Sequence, residues 1–168
     1  MDITSIDFLL SLKAYTTKDN DLGDPVHAPQ LKKQLSFGDG TTANNADIVW
    51  TDERTVSSAS NDDLDLAGVL ADAFGDTIAA AEIVGMVIVA DDGNTTTLTI
   101  GAGSNPWATM WAASGDGIKV PPGGVFVIMA PDASGLGAVT AGTGDILRVA
   151  NGSGAAATYK IFIIARSA

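Results

Sequence analysis

Residues 121–168, PPGGVFVIMAPDASGLGAVTAGTGDILRVANGSGAAATYKIFIIARSA, consist of apolar runs rich in Val, Ile and Phe that are cut every few positions by Gly, Asn or Asp. The runs are too short for ordinary helices, favour branched and aromatic side chains, and are bounded by turn formers. They read as strands. A chain built this way has to bury its strands against one another, which points to an all-β sandwich or barrel.

The rest of the body continues the pattern from near Leu31. Leu31, Lys33, Leu35 and Phe37 alternate imperfectly with Lys32, Gln34 and Ser36, and FGDGTTANN then closes the strand with turn residues. Ile48, Trp50 and Val56, then Leu64 and Leu66 alternating with Asp63 and Asp65, predict two or three short edge-like strands with one wet face. IVGMVIVA (83–90) is almost wholly apolar and predicts a central strand. DDGN would turn it into TTTLTI as a hairpin. IKV, VFVIMA, DILRVA and YKIFIIA bring the count to about eight to ten strands, the number and spacing of a two-sheet antiparallel β-sandwich of jelly-roll type. VLADAFGDTI fits either a helical turn or a loop, and no duplicated period supports a solenoid or propeller.

The first thirty residues differ from this body. Ile6, Leu9, Leu10 and Lys13 lie at helical spacing, so residues 1–14 predict one or two turns of amphipathic helix that need something to pack against. TTKDNDLGDPVHAPQ (16–30) is polar, holds two prolines and reads as a linker. The division is thus an arm and linker over 1–30 and a β domain over 31–168. The arm either reaches a neighbouring molecule or folds back on its own domain. Asp2 and Asp7, the absence of an early Lys or Arg, and Ser11 within the apolar cluster do not fit a secretory signal. No run approaches about 20 apolar residues, so no transmembrane helix is expected and the chain reads as soluble.

Charge and composition remove several function classes. The 168 residues carry 20 acidic and 9 basic side chains, a formal charge of −11, which repels phosphate backbones and anionic membranes. Direct nucleic-acid or membrane binding is not expected. With no cysteine, the chain has no thiolate chemistry, thiolate metal site or disulfide framework, and this fits synthesis in a reducing cytosol.

The remaining chemical candidates are weak. His27 is the only histidine, it lies in the Pro-flanked linker, and no GxSxG elbow accompanies it. Asp62, Asp63 and Asp65 suggest calcium, but alternate strand residues point to opposite faces and no EF-hand pattern follows; a solvated acidic edge is the preferred reading. Asp91, Asp92, Gly93 and Asn94 make a turn. The Gly-rich segments lack the Gly-Lys-Ser/Thr of a P-loop, and NTT and NGS are polar turn sequence. Trp107 and Trp111, in a Gly/Ser-bounded loop, could form a sugar-stacking platform but are better read as core or subunit-contact residues. A glycosidase using Glu53 and Asp63 would need the two carboxyls about 5–9 Å apart across a cleft, which the spacing does not indicate. No catalytic residue, metal or cofactor is predicted.

One resemblance is carried by FGDGTTANNADIVWTDERTVSSASNDDLDLAGVLADAFGDTI, KVPPGGVFVIMAPDASG and VTAGTGDILRVANGSGAAATYKIFIIA, with IDFLLSLKAYTTKDNDLG ahead of them. DLDLAG and TAGTGDILRVAN are the most specific blocks. Together they resemble a family of small structural proteins encoded in the virion-gene clusters of tailed bacteriophages and prophages. The resemblance implies a virion component made in the bacterial cytoplasm: a capsid decoration (cement) protein on the capsid surface, or a related head-fibre or tail part. The expected partners are the major capsid protein and further copies of the chain, as a homotrimer. The expected contact residues are Ile6, Phe8, Leu9, Leu10 and Leu12 in the arm, with Trp107 and Trp111 in the aromatic loop.

Overall fold

The computed structural model describes residues 3–101 and 103–168. Every regular element among them is a strand. They are β1 (Ile6–Lys13), β2 (Thr16–Thr17), β3 (Val26–His27), β4 (Gln30–Phe37), β5 (Ile48–Val56), β6 (Asn61–Asp65) and β7 (Glu82–Ala90). There follow β8 (Leu98–Gly101), β9 (Gly117–Val120), β10 (Val125–Met129), β11 (Gly137–Ala138), β12 (Ile146–Asn151) and β13 (Ala157–Arg166).

Two antiparallel sheets make the body. One has the order β10-β7-β13-β5, with β11 on the end of β7; the other has the order β6-β12-β8-β9. Period-two patterning explains which residues face inward. Tyr159, Ile161, Ile163 and Ala165 of β13, Met86, Ile88 and Ala90 of β7, and Trp50 and Val56 of β5 meet Leu64, Leu147, Val149, Leu98, Ile100 and Val120 of the other sheet in one buried cluster. The predicted sandwich is therefore present. Its pairing is nested: β8 with β9, β7 with β10, β6 with β12 and β5 with β13.

This nesting corrects the expected hairpin around DDGN. The turn forms as predicted, with Asn94 N–H bonding Asp91 O at 3.2 Å and Gly93 N–H bonding the Asp91 carboxylate at 2.8 Å. It carries the chain from one sheet to the other, and β7 and β8 do not pair. PPGG likewise crosses between sheets: Gly124 N–H bonds Pro121 O at 2.8 Å, and Gly123, with φ of 68°, takes the position of this turn that favours glycine.

The N-terminal region departs furthest from expectation. Residues 6–13 form a strand and not a helix, and β1 pairs along its whole length with β4, from Ile6↔Phe37 to Lys13↔Gln30. β2 and β3 continue the same register through Thr16↔His27 and Thr17↔Val26, and the Ala14 N–H to Pro29 O bond at 3.1 Å spans the gap. Pro29 has no N–H to donate, so the ladder is interrupted at that level. The result is one β-hairpin from residue 6 to residue 37, with twelve residues per arm spanning about 40 Å at 3.4 Å each. What read as a linker is the outer half of this hairpin. The strand expected to open the body at Leu31 belongs to the arm, so the body begins after Phe37.

Candidate functional site

The hairpin has an apolar face and a polar one. Ile6, Phe8, Leu10 and Leu12 share a face with Phe37, Leu35, Lys33 and Leu31, their cross-strand partners; Asp7, Leu9, Ser11 and Lys13 lie on the other side. Only the base is covered. Phe37 is buried with Ala46, Val84 and Ile164, while Ile6, Leu35, Met129 and Phe162 pack round them half-buried. Beyond the base, exposure climbs to 44% at Leu10, 55% at Leu31 and 65% at Leu12, and reaches 98% at Leu22 in the tip. The hairpin is thus anchored on the outer face of the β10-β7-β13-β5 sheet and projects from it.

That outer face is itself apolar. Val127, Val87 and Phe162 form one cross-strand row and Val125, Val89 and Lys160 the next. Val125 is 60% exposed and Val127 37%. Val87, Val89, Lys160 and Phe162 border a shallow depression of about 400 Å³ with Thr51, Asp52 and Glu53. A second depression of about 430 Å³ links Phe162 and Val49 to Phe74 and the residues just before the hairpin. The opposite sheet is different: its outer face carries Asp63 joined to Arg148 at 2.6 and 2.7 Å, and Thr99 beside Lys119. Antiparallel sheets ordinarily keep such a polar outer side. The Val-rich face is the exception, and with the hairpin stem it forms the largest concentration of exposed apolar side chains among the described residues.

The predicted contact residues divide accordingly. Leu10 and Leu12 lie on the exposed apolar stem with Phe8 and Ile6 nearer the base, and Leu9 is exposed on the reverse side. Trp107 does not belong with them. It is 1% exposed, packs in the main core, and its backbone N–H bonds Ile146 O at 2.9 Å, so it presents no surface to a partner or sugar. Trp111 is half-buried, and neither indole Nε1 has a hydrogen-bond partner among the described residues. A two-tryptophan platform is therefore not formed.

The acidic candidates resolve into structural roles. Asp62 faces inward from edge strand β6 and accepts two bonds from Arg54 of the opposite sheet, at 2.6 and 2.9 Å, and one from the Tyr159 hydroxyl at 2.8 Å. Burial pushes the Asp62 carboxyl up, but the bonds from Arg54 and Tyr159 outweigh it and hold it below its ordinary value. Burial, then the bond to Asp62, raises the Tyr159 hydroxyl. The trio ties one sheet to the other. Asp63 pairs with Arg148 while staying solvent-exposed, and Asp65 accepts the Ala67 N–H at 2.9 Å, so this edge strand carries its acids partly in water and partly in internal bonds.

Glu53 points from the outer face of its sheet toward Lys160 at 3.5 Å, whereas Asp63 is on the outer face of the other sheet. The sandwich separates the two carboxyls, and no cleft joins them. Asp39, Asp47, Asp72 and Asp76 border a depression of about 440 Å³, but Asp72 caps the Phe74 and Asp76 N–H groups and Asp47 binds Ser167. Among the described residues no group of His, Asp or Glu is arranged to hold a metal ion. His27 is exposed in β3, with its carbonyl near the Thr16 hydroxyl.

The residues that the sequence reading missed are Leu31 and Leu35 as part of the arm, and Val87, Val89, Val125, Val127 and Phe162 on the sheet. A signal for the second group was present. IVGMVIVA, VFVIM and IFIIA are apolar at both odd and even positions, and an antiparallel strand of that kind needs cover on both faces. No family model, curated protein or solved structure matches the chain.

Proposed function

We propose that this chain is a structural component of a tailed-bacteriophage virion: a decoration protein that sits on the major capsid lattice as a homotrimer and stabilises it, with no turnover. The resemblance of DLDLAG, TAGTGDILRVAN and the flanking blocks supplies the virion context. The observation that carries the mechanism is the hairpin, an anchored arm of about 40 Å with an exposed apolar face, set on an acidic body whose three arginines are held in ion pairs. Such an arm reaches beyond its own domain, and repeated contacts in a lattice turn individually weak interfaces into firm retention. The nested pairing of the eight main body strands supports the jelly-roll assignment, a fold that presents two flat faces for lateral packing. Neither nucleic acid nor membrane enters this scheme.

Quantitative mass analysis of purified particles tests it. A decoration protein is expected at a copy number on the scale of the major capsid protein. A few copies per particle would move the chain to a tail or fibre, and its absence from particles would sink the virion reading.

A further inference from the structure

We infer that the Val-rich outer face of the β10-β7-β13-β5 sheet is the docking site for the hairpin stem of a second copy of this chain. Each molecule displays two exposed apolar strips that its own fold leaves uncovered. One is the stem face around Leu10, Leu12 and Leu31, and the other is the sheet face around Val87, Val125 and Val127. The hairpin cannot cover its own sheet, because its base is fixed at one end of that face by Phe37 and its stem leaves it there.

Both strips are built on the two-residue period of extended chain, so rows of side chains on one match furrows on the other. Charge selects the same pairing. Of the lysines on the paired stem, Lys33 lies on the apolar face and Lys13 and Lys32 on the reverse with Asp7, and none of the three is in an ion pair among the described residues. On the receiving face Lys160 is already paired with Glu53 at 3.5 Å, and the anionic rim is formed by Asp91 and Asp92 at the end of β7 next to Val89, neither of which is in an ion pair among the described residues. On the stem's apolar face Lys33 stands opposite Leu10, where it can meet such a rim. A cationic, apolar ribbon and an anionic-rimmed, apolar sheet are complementary surfaces of one chain. Each copy donates one arm and accepts one, so the contact closes into a ring when the rotation allows.

This inference does not depend on the virion assignment. Light scattering on the purified full chain across the micromolar range is expected to show a closed oligomer. Two double variants separate the halves of the contact. Leu10→Lys with Leu12→Lys spoils the arm, and Val125→Lys with Val127→Lys spoils the sheet. All four positions are exposed in the isolated molecule.

Each variant alone is expected to weaken self-association at least about 100-fold, since each apolar side chain removed from a buried contact is worth about tenfold. Mixing the two variants is expected to restore a dimer, because the sheet variant's arm is intact and so is the arm variant's face. A monomeric wild-type chain overturns the proposal by itself, whatever the variants do. So does wild-type mass in either variant, or a mixture that stays monomeric. A monomer abundant on particles would remove this contact and leave the decoration role standing; an oligomer absent from particles would do the reverse.

Discussion

At the scale of single residues, one part-buried cluster ties the two sheets together. Asp62 satisfies the Arg54 guanidinium and the Tyr159 hydroxyl across the sandwich. Asp62→Ala removes the acceptor and leaves both donors behind, which is expected to cost about 2–3 kcal/mol; the figure is below that for a fully enclosed pair because the Arg54 side chain is 32% exposed. Asp63→Ala breaks a pair of similar geometry on the outer surface and should cost under about 1 kcal/mol. Urea unfolding of both variants checks the contrast, and equal losses would contradict it. Because the folded-state pKa of Asp62 is depressed, its contribution is present above the ordinary value of 3.8 and is lost as pH falls through the folded value. The stability gap between wild type and Asp62→Asn should therefore close below about pH 4. Trp107 supplies a second contrast. Its indole is enclosed but its N–H has no partner among the described residues, so Trp107→Phe gives up packing while relieving an unsatisfied donor. Thermal melts should place Trp107→Phe within about 1.5 kcal/mol of wild type and Trp107→Ala about 3–5 kcal/mol below it.

Among the elements, the hairpin contributes reach and little stability to its own molecule. Past Phe8 and Leu35 its side chains are exposed, so a chain in which residues 9–34 are replaced by Asn-Gly keeps the anchoring pairs Ile6↔Phe37 and Phe8↔Leu35 and closes them with a favoured two-residue turn. Calorimetry should find the melting temperature of this shortened chain within about 4 °C of that of the isolated full-length molecule, equivalent to about 1 kcal/mol. A larger fall would mean that the stem supports the body. The same element shows where the sequence could and could not be read. Body strands such as IVGMVIVA, DILRVA and YKIFIIA declare themselves, because their apolar runs are long, dense and sharply bounded. In IDFLLSLK the leucines satisfy two periods at once: Ile6, Leu9, Leu10 and Lys13 fit a helix, while Ile6, Phe8, Leu10 and Leu12 fit a strand. The arbiter is β4, two dozen positions away, and local spacing carries no trace of it. TTKDNDLGDPVHAPQ misled for a related reason, since its prolines do mark a break in the ladder while the register resumes beyond it. The same limit applies to DDGN, where turn chemistry was legible but the destination sheet was not. In the aromatic loop the tryptophan pair was visible, but Trp107 is drawn into the core by backbone bonding of its segment to Ile146 in a distant strand, which local sequence does not reveal.

For the whole molecule, charge is the term that the fold leaves least compensated. The formal charge is −11, and of the five basic residues outside the hairpin, Arg54, Arg148, Lys160 and Arg166 are already paired with acids. Many carboxylates are left to repel one another over a body only a few Debye lengths across. Two consequences oppose each other as salt rises. Screening relieves repulsion within one body and so stabilises the fold, whereas it weakens attraction between the lysine-bearing stem of one copy and the acidic rim of another. The shortened chain without residues 9–34 isolates the first effect. Its melting temperature should rise between 20 and 200 mM NaCl, by about 2–4 °C for each 1 kcal/mol of repulsion screened. A flat or falling curve would mean that the ion pairs across the sandwich outweigh the diffuse repulsion, because screening would then cost as much as it gains. In the full chain the second effect is superimposed, and the salt dependence of its melting should be shallower by the amount that self-association loses.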